Sequence, residues 1–341
     1  MTNLKEINVI CSIENLIFTW YYLYMEFYFR SDNMKTLLIH PDELSKKWID
    51  RMKDVGCTSI GIHPEGGGKS LESLKNLIEK FNDKNFTSLI DYAVNKGLKI
   101  EYHMHAAEYL LDRKYFLSHP KWFREDDKGE RCQKHNFCVS SKEALEKVSE
   151  NALILAKKLY KSSNRFYFWM DDVKNTHCRC EKCIKFSASD QNLIVMNAII
   201  KKLKEEIPDA LLCYLAYYDT MDVPKKVKAE KGIFLQYAPM DRDFTKEVAL
   251  ISDDKKKNLI DLINFFGKEN SAVLEYWYDN SLFSKWQKPP KEFKCNNEII
   301  KKDIMFYKTQ GFEKIESFAC FLGDDYEKLY GTPDISAFSD N

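Results

Sequence analysis

Residues 98–105 read LKIEYHMH and follow directly on Gly97. Side chains alternate across a strand, so Ile100, Tyr102 and Met104 share one face while Glu101, His103 and His105 share the other. The apolar face must meet helices, which turns the glutamate and both histidines inward. Residues 57–63 (CTSIGIH) repeat the arrangement, with Ile60 and Ile62 outward and Gly61 and His63 inward. Upstream of residue 98, an amphipathic stretch over 86–96 stops at Gly97, a helix followed by a strand. Strand-like runs recur at 36–40, 57–63, 98–105, 165–171, 210–218, 232–238, 272–278 and 314–322. Helix-like runs lie between them, at 41–56, 86–96, 142–161, 191–207, 255–267 and 297–310. Eight strands alternating with helices predict an α/β fold, a (β/α)8 TIM barrel, with a long insertion at residues 111–141 after the third strand. An open doubly wound sheet would carry a Gly-rich fingerprint after its first strand, and TLLIHPDE (36–43) has none.

Residues 1–33 precede this pattern and are expected to form an N-terminal extension, with the barrel over 34–341. The apolar run LIFTWYYLYM (16–25) is too short to span a bilayer. No basic region leads into it and no small-residue cleavage site follows, so no signal peptide is read and a cytoplasmic location is expected. The 341 residues carry 52 Lys+Arg and 52 Asp+Glu, a balance that gives no electrostatic reason to bind nucleic acid. Aromatic residues reach 14%, which suits neutral ligands that stack on ring faces, carbohydrate above all, and equally a large aromatic core.

Chemistry in a barrel sits where strands end at the C-terminal face. His40, His63, Glu65, His103, His105, Asp171, Asp172, Asp219, Tyr237, Asp279, Asp324 and Asp325 fall at those ends and form a polar, acidic ring. Polar inward positions on the second and third strands predict a wet pocket. The adjacent Asp171 and Asp172 close the aromatic strand RFYFWM, and two carboxylates in different surroundings can take different roles. His63, His103 and His105 are expected to bind sugar hydroxyls, with Asp324 a further polar contact. A metal-dependent hydrolase built on these same residues is the rival reading. Tyr217, Tyr237, Tyr276 and Trp277 are candidate stacking walls, alternation sending about half of such positions inward. GGGKS (66–70) lacks the first glycine of a phosphate loop, because His63 holds that position. Its glycines are read as a turn or as a close backbone approach to ligand.

The ten cysteines are scattered except for Cys178, Cys180 and Cys183, in CRCEKC (178–183). Three thiolates at this spacing can share one ion, and zinc wants four ligands. The fourth is sought among His177, Cys138, Cys132 and His135, with Cys138 completing the expected set. A structural zinc is the expectation, free thiols or a disulfide the alternatives, and no cofactor is expected for catalysis.

HPKWF (119–123), GERCQKHNFCVSS (129–141), the Asp172-to-CRCEKC segment and LAYYDTMDVPKKVKAEKGIFLQYAPMDRDF (215–244) resemble the domain-of-unknown-function 4838 family over roughly residues 35–325. Part of that family is classed as glycoside hydrolase family 163, endo-β-N-acetylglucosaminidases whose barrel is distantly similar to the family 20 β-hexosaminidases. The resemblance implies an N-acetylhexosamine-containing glycan as substrate and a retaining mechanism in which the substrate's own acetamide attacks the anomeric carbon. On that pattern Asp171 orients the acetamide and Asp172 protonates the leaving oxygen, with Glu275 on the seventh strand as reserve acid. A non-catalytic carbohydrate-binding barrel is the remaining alternative.

Overall fold

A computed structural model describes residues 34–159 and 162–339. The extension assigned to residues 1–33 lies outside the described residues. Eight parallel strands close into one barrel in sequence order: β1 (Met34–Ile39), β2 (Ser59–Ile62), β3 (Lys99–His105), β4 (Arg165–Trp169), β5 (Leu211–Ala216), β6 (Ile233–Tyr237), β7 (Ala272–Glu275) and β8 (Lys314–Phe318). Closure runs through the Ala319 N–H, which donates to the Leu38 carbonyl at 2.7 Å. The helix over Asn297–Gln310 has the bounds read from sequence. A helix at Ser70–Lys80, directly after the glycine turn, was not read there, because its start lies inside a segment that looks like loop. No helix among the described residues is long and apolar enough to cross a membrane.

Parity along each strand sorts the two layers. Ile60, Ile62, Ile100, Tyr102 and Met104 join the large apolar layer between strands and helices. Leu38, Tyr167, Trp169, Cys213, Leu215, Phe234, Leu274, Tyr276 and Phe318 fill the barrel interior. Gly61 sits where β1 and β2 press closest: a Cβ there would lie 2.5 Å from Leu38 Cγ and 3.3 Å from Leu38 Cα. Neither the side-chain root nor the backbone can retreat, so Gly61→Ala should cost about 1–3 kcal/mol. Urea unfolding checks this, and an unchanged midpoint would show that the barrel floor is not packed as described.

The expected wet pocket does not extend to this depth. Glu101, His103, Arg165, Gln236, Lys314 and Glu316 are all buried inside the barrel. Lys314 Nζ bonds Glu101 and lies 3.0 Å from Glu316, and Arg165 Nε donates to the Tyr167 hydroxyl at 3.0 Å. Two cations thus face two carboxylates and leave no net charge, the condition under which charges survive burial. Alternation gives a side chain's face but not its depth along the barrel axis, which is why these positions read as a pocket.

Candidate active site

Above this ionic layer, at the C-terminal mouth, opens a cleft of about 630 Å³. Trp169 is inward by the parity of β4 and forms part of the floor over His103. Its indole N–H donates to Gln236 Oε1 at 3.0 Å, so the ring is fixed from below. Tyr217, Tyr218, Tyr276, Trp286, Phe318 and Phe321 line the walls. Tyr218, Trp286 and Phe321 hold φ of 49°, 54° and 64°. Left-handed backbone at a non-glycine costs of order 1 kcal/mol, and such strain collects where side chains must be aimed.

Asp172 projects into this cleft. The Tyr217 hydroxyl donates to its Oδ1 at 3.0 Å. Burial, with Tyr276 and Asp172 nearby, pushes the Tyr217 phenol well above its ordinary range, so it remains a donor. Asp172 Oδ2 lies 3.3 Å from the position a Cβ would take on Gly66, and His105 Nε2 lies 3.6 Å from the same point. Gly66 therefore leaves open the space that both groups share.

Three imidazoles continue the wall, each anchored to the next strand end. His40 Nδ1 lies 2.8 Å from the His63 carbonyl, His63 Nδ1 2.8 Å from the His103 carbonyl, and His105 Nδ1 2.6 Å from the Met170 carbonyl. A carbonyl only accepts, so each Nδ1 carries the proton and each Nε2 is the free ring nitrogen. Burial holds His63 well below its ordinary pKa, which keeps it neutral and its Nε2 an acceptor. Asp279, on the β7 side, also lines the cleft, and burial raises its carboxyl. Its Oδ1 accepts from the Ser281 and Leu282 N–H groups at 3.1 and 3.3 Å. Sequence reading had put His40 and Asp279 at strand ends but gave neither a role, and it passed over Trp169; parity alone would have turned that ring inward.

Other candidate residues lie elsewhere. Asp171 turns from the cleft toward the insertion, where its Oδ2 takes Arg113 Nη2 at 2.6 Å and the Asn136 N–H at 2.5 Å. His103 is fully buried and stacked on Tyr167 at 3.5 Å, a core position and not a sugar contact. Tyr237 and Trp277 have outward parity and belong to the layer under the helices. Asp324 sits in the first turn of the helix Asp324–Tyr330, away from the cleft. The insertion does not line this cleft; its Asn136, Phe137 and Val139 line an adjoining cavity that shares His105, Trp169 and Tyr217 with it. The rival metal-dependent site is not assembled as read: among the described residues, no metal-sized group contains His63, His105 or Asp324, and His103 groups instead with Glu101 and Glu316, which Lys314 already pairs.

Glu275 also faces the helices. It is fully buried, paired with Arg242 Nε at 3.1 Å, and it accepts from the Tyr307 hydroxyl at 2.5 Å. Burial outweighs those partners and pushes its carboxyl up to about 7. A folded pKa above the unfolded one means that this group's stabilisation is full below the ordinary carboxylate range. It is lost as pH rises through about 7. Glu275→Gln cannot ionise, so between pH 4.5 and 8 the wild type should lose on the order of 3 kcal/mol relative to the variant. Urea unfolding of both proteins across that range measures the change, and a gap independent of pH would refute it.

Beside the mouth, Cys138, Cys178, Cys180 and Cys183 are buried together, with all four sulfurs within 4.8 Å of one another. The set is the one expected from sequence, and four thiolates are a donor set for zinc. Cys132, His135 and His177 are not part of the group.

An eight-stranded barrel with carboxylate, imidazole and aromatic groups at its C-terminal mouth defines a (β/α)8 protein with an enzyme-like cleft. The Domain of unknown function (DUF4838) model matches residues 74–322, and the chain belongs to that family. No curated protein matches it. Solved structures with the same fold include PbGH5A, a glycoside hydrolase family 5 enzyme from Prevotella bryantii B14, at 9% identity, 90% of this chain, 94% of that chain and TM-score 0.50. A GH5-4 broad specificity endoglucanase from an uncultured bacterium gives 12% identity, 91% and 93% coverage and TM-score 0.51. The β-galactosidase from Marinomonas ef1 gives 12% identity and TM-score 0.47; 83% of this chain aligns with 53% of that one. At such identities the likeness to the two family 5 enzymes is one of fold.

Proposed function

We propose that the chain is a glycoside hydrolase acting on N-acetylhexosamine-containing glycans, by a retaining mechanism in which the substrate acetamide is the nucleophile. The observation that carries this reading is the open carboxylate of Asp172 in an aromatic-walled cleft of sugar-binding size. Asp172 is the general acid: Tyr217 holds one oxygen, and the other faces the space beside Gly66. Asp171 is a positioning residue in this account, because Arg113 and Asn136 already occupy its carboxylate. The acetamide N–H then needs another acceptor, and His105 Nε2 and the Asp279 carboxylate are the groups at hand. Trp286, which is exposed, and the half-buried Tyr218 offer ring faces to the apolar sides of the sugar, with Trp169 and Tyr276 buried beneath them.

Incubation with β-N-acetylglucosaminides and complex N-glycans, beside a control panel of β-glucans, tests the substrate class. Release of N-acetylglucosamine-terminated products supports it, and cleavage of the glucans alone would replace it. A second reading, a non-catalytic carbohydrate-binding barrel, is favoured by one specific feature: Asp171 does not join Asp172 in the cleft. Calorimetric binding of the same glycans without turnover would establish that alternative.

A further inference from the structure

The geometry points to one zinc ion held by Cys138, Cys178, Cys180 and Cys183, acting as a rivet between the insertion and the loop that carries Asp172. Cys138 Sγ lies 3.7 Å from Cys180 Sγ and 3.8 Å from Cys183 Sγ. A tetrahedron with arms of about 2.3 Å, the zinc–thiolate length, has edges of about 3.8 Å. The sulfurs are thus spaced for one ion between them, and leave no room for an iron–sulfur cluster with its own sulfides. Four protein ligands also leave no open coordination position, which makes the site structural and not catalytic. None of the four cysteines lines the cleft.

The surroundings suit thiolates. The Glu125 N–H donates to Cys178 Sγ at 3.3 Å, and the Ser140 hydroxyl lies 3.1 Å from Cys138 Sγ. Gln191, from the helix Ala188–Lys204, holds the three-cysteine loop: its Oε1 accepts the Cys178 N–H at 3.0 Å, and its Nε2 donates to the Cys178 and Cys183 carbonyls at 2.9 and 3.2 Å. Such local order aims the sulfurs at a common point, whereas a packing role alone would be served by alanine or valine.

The two segments that the ion would join are also those that set the acid. Asn136, two residues before Cys138, donates its N–H to Asp171 Oδ2 and accepts the Asp171 N–H at 3.0 Å. Its Nδ2 donates at 2.8 Å to the hydroxyl of Thr176, two residues before Cys178. Asp172 follows directly. Zinc therefore fixes the backbone from which Asp172 projects, a consequence that rests on the proposed function, whereas the metal site itself does not.

Metal analysis of the purified full chain is the test. The expected result is one zinc per chain. In cobalt-exchanged protein, the absorption bands of tetrahedral cobalt–thiolate should appear and then vanish on adding zinc. Cys138→Ser should lower zinc retention by at least about tenfold under a competing chelator. Cys57→Ser, away from the cluster, should retain it. If Cys138→Ser fails to fold, chelator alone should lower the wild-type melting temperature and added zinc should restore it. Substoichiometric metal with four free thiols, disulfides among these cysteines, or iron in place of zinc would overturn the assignment. A zinc-loaded chain with no glycan turnover would leave the metal site standing and remove only the proposed reaction.

Discussion

Asp172→Asn is expected to lower kcat on an N-acetylglucosaminide by about 10²–10⁴-fold, the usual contribution of a positioned general acid. Asparagine keeps the shape and still accepts from the Tyr217 hydroxyl through its carbonyl, so KM and melting temperature should change little. Only the transferable proton is lost. Asp171→Asn supplies the contrast. Its carboxylate meets Arg113 and Asn136, so weakening it should show first as lower stability and a looser insertion. Steady-state kinetics and thermal melting of both variants separate the two residues. Equal kinetic defects with equal stability would mean that the pair acts as one unit.

Lys314→Met should be the most damaging change in the barrel, at about 3–5 kcal/mol near neutral pH. The ammonium is the direct partner of both Glu101 and Glu316, and all three groups are buried. Burial alone would push the Glu101 carboxyl up, and Lys314, His103 and Arg165 together outweigh it, Lys314 most of all, and hold that carboxyl below its ordinary range. In the wild type this gives stability that is present above the unfolded carboxylate pKa and fades as pH falls. Removing the largest opposing charge leaves burial to dominate at Glu101, whose carboxyl then prefers a proton, so the variant should recover part of its loss on acidification. Urea unfolding at pH 5 and pH 8 reads both effects. A loss below 1 kcal/mol, or one that grows toward acid, would contradict the description of the ionic layer.

The alternating faces of LKIEYHMH and CTSIGIH were enough to orient β2 and β3 and to bring His63 and His105 to one mouth. Alternation fails where the strand stops. β4 ends at Trp169, so nothing periodic distinguishes Asp171 from Asp172; distant partners decide, Arg113 and Asn136 for one and Tyr217 for the other. Glu275 misled for a related reason. β7 is apolar except for Glu275, so nothing in its pattern tells the inward face from the outward one, and the residues that receive its carboxylate, Arg242 and Tyr307, lie 33 and 32 positions away. The cysteine set was legible because thiolate chemistry leaves few candidates, and Cys138 needed only proximity to complete it.

The central claim is that one carboxylate of this cleft protonates a glycosidic oxygen while the substrate's acetamide attacks. Proton NMR of the first-formed anomer during hydrolysis of a β-N-acetylglucosaminide addresses it most directly. Retention should be seen, with the β-anomer appearing first and then mutarotating, and no product should form at a comparable rate with Asp172→Asn. Inversion, or an undiminished rate in that variant, would contradict the account.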